Sequence, residues 1–556
     1  MYSGCLYAII VLCNGKEATN QKGTGDNIVG IYLNPSNEHF QESLRSKIYV
    51  DKSELIAKTN DVIRTQQKYI CVSRPRRFGK SMALNMLSAY YSYGGDSGEL
   101  FCGLKISSEE SYETHRNKYD VLLLNMQEFL SKSSDIDEML SLLRQRVVWD
   151  LKKAYAIDLD SEHLDWAMQD VYLYTSRPFI VLIDEWDCMF REYQQNEPAQ
   201  KKYLDFLRSW LKDQPYVGLA YMTGILPIKK YGTHSALNMF SEYSMSDPGD
   251  LASFFGFTEA EVESLCREYR MSFDETQAWY DGYMFPDETG DICKNISIYS
   301  PKSVVEAMLR RSFRNYWNQT ETYEALKVYI QMNYDGLKDD IITMLAGGRA
   351  EVNPAKFKND MVTFSGKNDV LALLVHLGYL SYDFQTKTAV IPNKEVSEEY
   401  INAIEDLGWS EVIHSVDHSY QLLQSLWNLD ADAVAAGISQ AHQEVSILQY
   451  NDENALSYTV NLAFYAAKEF YTVIRELPAG KGFADICMIP RKMHLDKPAV
   501  VIELKWDKNV HGAIRQIKER KYVDAINDYT GQLLLVGINY NRKSKDHECM
   551  IEKMYV

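Results

Sequence analysis

Residues 70–81 read Ile-Cys-Val-Ser-Arg-Pro-Arg-Arg-Phe-Gly-Lys-Ser. An apolar, partly β-branched run enters a short loop that closes on Gly79-Lys80-Ser81, and the apolar stretch Met82 to Tyr91 follows with helical character. A strand, a tight loop and a helix opening at Lys-Ser can grip the phosphates of a nucleotide such as ATP. The loop amides and the helix N-terminus face the anion, Lys80 reaches the β- and γ-phosphates, and the Ser81 hydroxyl can ligate Mg²⁺. The usual pattern has a glycine five residues before the Gly-Lys pair, and Arg74 stands there instead. Arg74, Arg76 and Arg77 could contact phosphate, or could be solvated or paired with acids. A second element is needed to hold Mg²⁺ and prepare a water. Phe179-Ile-Val-Leu-Ile-Asp184-Glu185 is a strongly apolar strand that delivers two acids to the carboxyl edge of a sheet, where ligands sit in open α/β folds. Asp184 would hold Mg²⁺ through its water shell and Glu185 would act as general base. Alone, such acids could merely cap the next helix. Thr223, at the end of Leu219-Ala-Tyr-Met-Thr-Gly224, is placed to sense a γ-phosphate; alone it is only a strand and a turn.

A second group lies about 400 residues downstream. Gly482-Phe-Ala-Asp485-Ile is followed by Val500-Val-Ile-Glu503-Leu-Lys505. Period-2 alternation puts Glu503 and Lys505 on one face of a strand, and Asp485 on the preceding strand can face them. Two carboxylates converging with a lysine call for a cation, and a hard divalent ion such as Mg²⁺ suits oxygen donors. At Asp485 and Glu503 that ion would activate water and stabilise a phosphodiester, with Lys505 positioning the water or offsetting an oxyanion. The alternative is a cross-strand salt bridge on a solvated face. Glu453 lies on the helix expected before these strands and Gln516 on the helix after them. Two other groups promise less. His414 and His418, at i and i+4, lack a neighbouring Glu and a third ligand, and Cys188 has no His near it in sequence.

The elements that must position these residues are legible in the pattern. Residues 69–72, 121–124, 179–183 and 218–222 read as buried strands with room for crossover helices between them, which predicts a mostly parallel sheet covered on both faces. From about 241 to 300 the chain is expected to be helical, with Thr258 and Glu261 as a helix start, and residues 301–450 remain largely helical. From about 453 we expect helix (453–469), strand (471–476), strand (483–489), strand (499–504), helix (511–527) and strand (532–538). The net charge of −18 disfavours a protein that coats nucleic acid over its whole surface. Residues 451–556, however, hold 16 Lys and Arg against 14 Asp and Glu, a net of +2, so the rest carries −20. Nine scattered cysteines without a Cys-x-x-Cys pair fit reduced thiols in a cytoplasmic setting, and no run of about 18 apolar residues suggests a membrane span. Residues 1–29 read as a disordered extension.

Four separated segments, Ile48-Tyr-Val-Asp-Lys-Ser-Glu-Leu-Ile56, Ser73-Arg-Pro-Arg-Arg-Phe-Gly-Lys-Ser81, Ile183-Asp-Glu-Trp-Asp187 and Thr223-Gly-Ile-Leu226, resemble the AAA-ATPase-like domain family of bacterial proteins, in order, over roughly 31–240. Arg in place of the first loop glycine is similar to that family's own pattern. The order of acid-bearing helix, Asp strand, Glu-x-Lys strand and Gln helix over about 450–545 resembles the PD-(D/E)xK nuclease superfamily, in the version fused behind AAA-ATPase-like domains. Ala484 stands where the motif's name calls for proline. That resemblance implies that Asp485 and Glu503 bind metal (Mg²⁺, or Mn²⁺), that Lys505 assists catalysis, and that Glu453 and Gln516 support the site.

The expected architecture is α/β: an extension (1–29), an AAA-like P-loop ATPase domain (30–240), a helical lid and linker (241–450) and a PD-(D/E)xK-type α/β domain (451–556). Its expected nucleotide ligands are Arg76, Arg77, Gly79, Lys80, Ser81 and Thr223. Its expected activity is ATP-gated, metal-dependent cleavage of DNA or RNA, triggered by a protein partner or by self-association. A binding switch without cleavage, or a C-terminal module that only docks proteins, are the alternatives.

Overall fold

The computed structural model describes residues 30–555 except 161, 229, 232–233, 236, 288–293, 318–322, 333, 335, 346, 355–356, 358–363, 408, 445–452, 480–481, 492–493 and 520–530. At 230–231, 234–235, 287, 294, 323–325, 410–417, 444, 453–454, 469, 478–479, 482–483 and 555 the backbone alone is described. The expectation for 1–29 therefore lies outside the described residues.

Five strands form the first sheet: β1 Tyr69–Ser73, β2 Asp120–Asn125, β3 Phe179–Asp184, β4 Val217–Gly224 and β5 Ser241–Tyr243. Their order is β2-β3-β4-β1-β5 and every pairing is parallel. β3 and β4 are buried along their whole length, because helices cover both faces. Ile70, Val72, Ile180, Leu182, Leu219 and Tyr221 join one core with helix α1, Lys80–Tyr91. Their neighbours Tyr69, Cys71, Val181, Ile183, Ala220 and Met222 join the other, under helices Ile136–Tyr155, Leu164–Thr175 and Glu197–Leu211. The two-residue period of each strand thus feeds two cores. The four strands expected here are present, each within two residues of its expected ends.

The segment from 241 to 300 departs from the helical expectation. Phe257–Thr258, Tyr283–Asp287 and Lys294–Tyr299 make an antiparallel sheet. Ile296 and Ile298 alternate with polar residues, a period of two that outweighs the flanking helical stretches. A second small sheet joins Ala350–Glu351, Thr388–Val390 and Ser381–Asp383. The helix start at Thr258 is present as a capping box with Glu261, whose carboxylate also accepts from Lys52 Nζ at 2.7 Å. Apolar side chains of this middle region, among them Trp317, Leu371 and Ala403, continue one of the two sheet cores.

Helix α2, Lys394–Asp406, runs through that core and carries Glu395, which is fully buried. Its Oε2 accepts from the amides of Tyr316 (3.1 Å) and Trp317 (3.2 Å), and burial pushes its pKa up to about 8. The folded state therefore holds this proton between about pH 4.5 and 8, where the unfolded chain has released it, so stability falls as pH rises through that window. Glu395→Gln should shift the denaturant midpoint little at pH 5. It should raise stability relative to wild type by pH 8, by an amount on the order of 1 kcal/mol or more. Paired urea titrations at the two pH values measure this.

The C-terminal sheet contains β6 Tyr471–Ala479, β7 Gly482–Pro490, β8 Ala499–Trp506, β9 Gln532–Asn541 and β10 Asp546–Tyr555, paired in that order. Only β8 and β9 run parallel. Helix α3, Glu453–Ala463, ends earlier than expected and is followed by a separate short helix, Ala467–Phe470. Helix α4 covers Val510–Glu519; the remainder of the expected helix lies outside the described residues. Val500, Ile502 and Leu504 of β8 face helices Ser410–Trp427 and Ala431–Glu444 together with α3. Ala499 and Val501 face α4. Gly537 lets α4 lie close on the sheet, since a Cβ there would stand 2.9 Å from the Val510 carbonyl oxygen.

Candidate functional site

The loop between β1 and α1 ends at Gly79, whose φ of 92° lies in the left-handed region that glycine adopts without strain. Lys80 opens α1 and is 5% exposed. Its Nζ donates to the carbonyl oxygens of Arg74 (2.9 Å) and Pro75 (2.8 Å), which folds the loop around the ammonium. Burial pushes the Lys80 pKa down, against the pull of Glu185, Asp184 and Asp187. At the next residue, Ser81 Oγ donates to Asp184 Oδ2 at 2.6 Å, and Thr223 Oγ1 donates to Asp184 Oδ1 at 2.6 Å. The three residues expected at the Mg²⁺ and γ-phosphate end are thus joined, although they come from α1, β3 and β4. Arg76 and Arg77 are exposed on the loop.

Arg74 is placed differently from expectation. It is fully buried, donates to the carbonyl oxygens of Ser73 and Tyr243 (both 2.9 Å), and lies between the rings of Phe255 and Phe285. Burial lowers its pKa to about 10. Its side chain braces β1 against β5 and the middle region and does not form part of a phosphate grip.

Glu185 sits just past β3 with φ of 52° and forms an ion pair with Arg191, a residue the motif reading did not single out. Arg191 also approaches Asp187 at 3.4 Å, and Asp187 Oδ2 accepts from the amides of Ile225 and Leu226 at 2.9 and 2.8 Å. The signal was available: Asp187 stands at the N-cap of helix Cys188–Glu192 and Arg191, at i+4, in its last turn, just beyond the two acids. Burial raises the Glu185 pKa, which makes the carboxylate a stronger proton acceptor. A cleft of about 450 Å³ opens over this edge, lined by Arg76, Asn125, Glu128, Glu185, Arg191 and Glu192 among others. Cys188 is buried and its thiol is pushed up by burial, as a core residue would be.

In the C-terminal sheet, Glu503 is 2% exposed and Lys505 8%. Lys505 Nζ donates to Glu503 Oε1 at 2.6 Å, and Gln516 of α4 also donates to Oε1. Asp485 lies where the β7–β8 ladder ends, and its Oδ2 accepts from the Leu504 amide at 2.6 Å. Asp485, Glu503, Lys505 and Gln516 are therefore brought together, on buried strands and not on a solvated face. Glu453 is on α3, and its side chain lies outside the described residues, as does that of His414. His418 is exposed and contacts Gln440.

Both sites fit hard divalent cations in donor chemistry. Ser81 and Asp184 offer adjacent oxygens, and Asp485 and Glu503 offer carboxylates on neighbouring strands. Among the described residues no three or more His, Cys, Asp or Glu side chains cluster closely enough to hold a metal by themselves. A cation at Asp485 and Glu503 would therefore complete its shell with water, substrate or Glu453. No helix among the described residues is long and apolar enough to cross a membrane.

Residues 38–233 match the AAA-ATPase-like family, described as a predicted AAA-ATPase, and residues 452–549 match the PD-(D/E)XK nuclease superfamily. A curated relative, described as an uncharacterized protein in the vnfD 5′ region of Azotobacter chroococcum mcd 1, is 24% identical over 285 residues, 49% of this chain and 51% of the relative. The chain thus spans about half the length of the curated relative it matches. Among solved structures, the Aeropyrum pernix ORC2 protein in ADPNP and ADP complexes aligns at 11% identity over 66% of this chain and 98% of its own, with a TM-score of 0.29. Cdc6p from Pyrobaculum aerophilum aligns at 9% identity over 67% and 99%, with a TM-score of 0.24. Similarity that low carries no argument here.

Proposed function

From a chain that joins an AAA-ATPase-like domain to a PD-(D/E)XK nuclease superfamily domain, we propose a protein in which ATP binding or hydrolysis controls metal-dependent cleavage of DNA or RNA. The observation that carries this reading is the pair of assembled sites: Ser81, Asp184 and Thr223 joined beside Lys80, and Glu503, Lys505 and Gln516 joined beside Asp485.

At the first site the loop amides and Lys80 receive the phosphates, with Arg76 and Arg77 at the rim. Ser81 and Asp184 would hold Mg²⁺, which offsets phosphate charge when bound. Glu185 takes the proton of the attacking water once Arg191 releases its carboxylate. Thr223, tied to Asp184, carries the state of the site into β4. At the second site Asp485 and Glu503 would hold Mg²⁺ or Mn²⁺, which supplies Lewis acidity toward a phosphodiester when bound. Lys505 orients water or offsets the developing oxyanion, and Gln516 fixes the Glu503 carboxylate. Glu453 is assigned a supporting role. Such a protein works in the cytoplasm, with a protein partner or a second copy as its trigger.

Contacts between the two sites support the gate. Pro75 and Phe78 of the phosphate loop pack on the middle region: a Cβ on Gly378 would stand 2.8 Å from Pro75 and 2.9 Å from Trp317, and the Phe78 and Tyr283 rings are 5.4 Å apart. The Trp317 amide bonds Glu395, and two residues along α2 Ser397 Oγ bonds Tyr465 OH at 3.0 Å, just past α3. Arg491, at the end of β7, pairs with Glu275 of the middle region at 3.2 Å. A loop that rearranges around phosphate therefore has a packed route to the second sheet. The expected result is that ATP changes the rate of Mg²⁺- or Mn²⁺-dependent cleavage by wild-type protein several-fold. A cleavage rate indifferent to ATP sinks the gate, whatever the polymer.

A further inference from the structure

Beyond β8 and β9 two loops meet. Residues 507–509 follow Trp506, and residues 541–545 connect β9 to β10. They are stapled together: the Asp507 amide donates to the Tyr540 carbonyl at 2.8 Å, the Arg542 amide to Asp507 Oδ1 at 2.7 Å, and the Lys508 amide to Asn539 Oδ1 at 3.0 Å. The turn at 541–545 is tightened further, with the Lys543 amide on Asn541 Oδ1 at 3.0 Å and the Lys545 amide on the Asn541 carbonyl at 2.8 Å. The pair of loops presents Lys508, Arg542, Lys543 and Lys545, all exposed. None of the four makes an ion pair among the described residues, whereas nearby Arg515 and Lys518 of α4 pair with Glu519 and Glu552. The acids in these loops are fewer, Asp507 and the adjoining Asp546, and Asp507 already accepts an amide. On a chain of net charge −18, four cations without an ion pair among the described residues, gathered on two stapled turns, repel one another, and a bound polyanion relieves that repulsion.

We propose that Lys508, Arg542, Lys543 and Lys545 form a cationic rim that grips the phosphate backbone of the nucleic acid whose phosphodiester is presented to Asp485, Glu503 and Lys505. The proposal rests on the reading of that site as one acting on nucleic acid, and it adds where the polymer lies. Lys508 stands three residues past Lys505 along the same chain, roughly 10 Å at strand rise, and Lys505 is paired in register with Asn539, which bonds the Lys508 amide. The rim thus begins at the carboxyl end of the catalytic strand and extends outward from it. Contacts of this kind position the backbone without reading sequence, so the rim sets affinity and salt dependence and leaves sequence preference to other residues.

The test is binding of the full-length protein to labelled DNA and RNA, single- and double-stranded, over a salt series in Ca²⁺ and again in EDTA. Wild type is compared with the variant carrying Lys508→Ala, Arg542→Ala, Lys543→Ala and Lys545→Ala. Each lost phosphate contact removes about 0.9 from the slope of log affinity against log salt, so the variant should lose about 3 to 4 units of slope on its preferred polymer. Its affinity at low salt should fall more than about tenfold, while its melting temperature and ATP binding stay at wild-type values. Equal slope and affinity in both proteins overturn the rim and leave the nuclease reading standing. Binding of no polymer by wild type overturns both. Loss of self-association in the variant, with unchanged nucleic-acid binding, assigns the rim to an acidic surface of a second copy and overturns the proposal.

Discussion

Asp485→Asn lowers metal-dependent phosphodiester cleavage by roughly 10²–10⁴-fold while ATP binding persists. Asn keeps an acceptor for the Leu504 amide that Asp485 Oδ2 now satisfies at 2.6 Å, so the strand geometry survives and only the charge is lost. Asp485→Ala gives the same catalytic loss but leaves that amide without its acceptor, at a cost of about 1–3 kcal/mol. Comparing the two variants by initial rate and by melting temperature separates chemistry from folding. Lys505→Ala also lowers cleavage, by a different route. It strips the ammonium from a Glu503 carboxylate that is 2% exposed, so it destabilises the fold as well, by up to about 3–5 kcal/mol. Cleavage that continues at the wild-type rate in Asp485→Asn places the chemistry elsewhere.

Lys80→Ala weakens ATP binding by about 10- to 100-fold, the equivalent of roughly 1.5–3 kcal/mol for a lost charged hydrogen bond. The fold loses little, because Lys80 is a buried cation whose two partners are carbonyls of its own loop, and burial already disfavours its charged form. The variant should therefore melt close to wild type without nucleotide. ATP with Mg²⁺ raises the wild-type midpoint through binding to the folded state, and at one ATP concentration that rise should be smaller in the variant, as an affinity about 10- to 100-fold weaker requires. Calorimetric titration and a thermal shift series measure the two effects independently. At an ATP concentration that saturates wild type but lies below the variant's Kd, cleavage by Lys80→Ala should stay at its nucleotide-free level.

Much of this was legible in residue order because the two sites sit on strands with strong periodicity. The runs feeding Asp184 and Glu503 are apolar without interruption and end in acids, which signals a buried strand delivering charge to a sheet edge. The pairing of Glu503 with Lys505 followed from the two-residue period, and the geometry agrees. What was not legible depends on contacts between distant segments. Arg74 occupies a loop position where a cation invites a phosphate role, and only the packing of Phe255 and Phe285 around it shows a brace. Arg191 was legible as the i+4 neighbour of Asp187, but its pairing with Glu185 depends on the backbone turning at φ 52° just past the strand. The strand Asp546–Tyr555 is hard to read from residue order because it is an edge strand whose Asp, Glu, Lys and His interrupt its apolar residues, and such charges protect an edge from further pairing. The short antiparallel strands after 256 were masked by the helical stretches between them.

The central claim is that one chain couples a nucleotide site to a phosphodiester site. The most direct measurement is cleavage of DNA and RNA by wild type and Asp485→Asn, each with Mg²⁺ or Mn²⁺, with and without ATP. The account predicts metal-dependent cleavage by wild type whose rate changes several-fold with ATP, and cleavage by the variant at least about 100-fold slower in either condition. Wild-type protein that cuts neither polymer under any of these conditions, or a variant that cuts as wild type does, contradicts it.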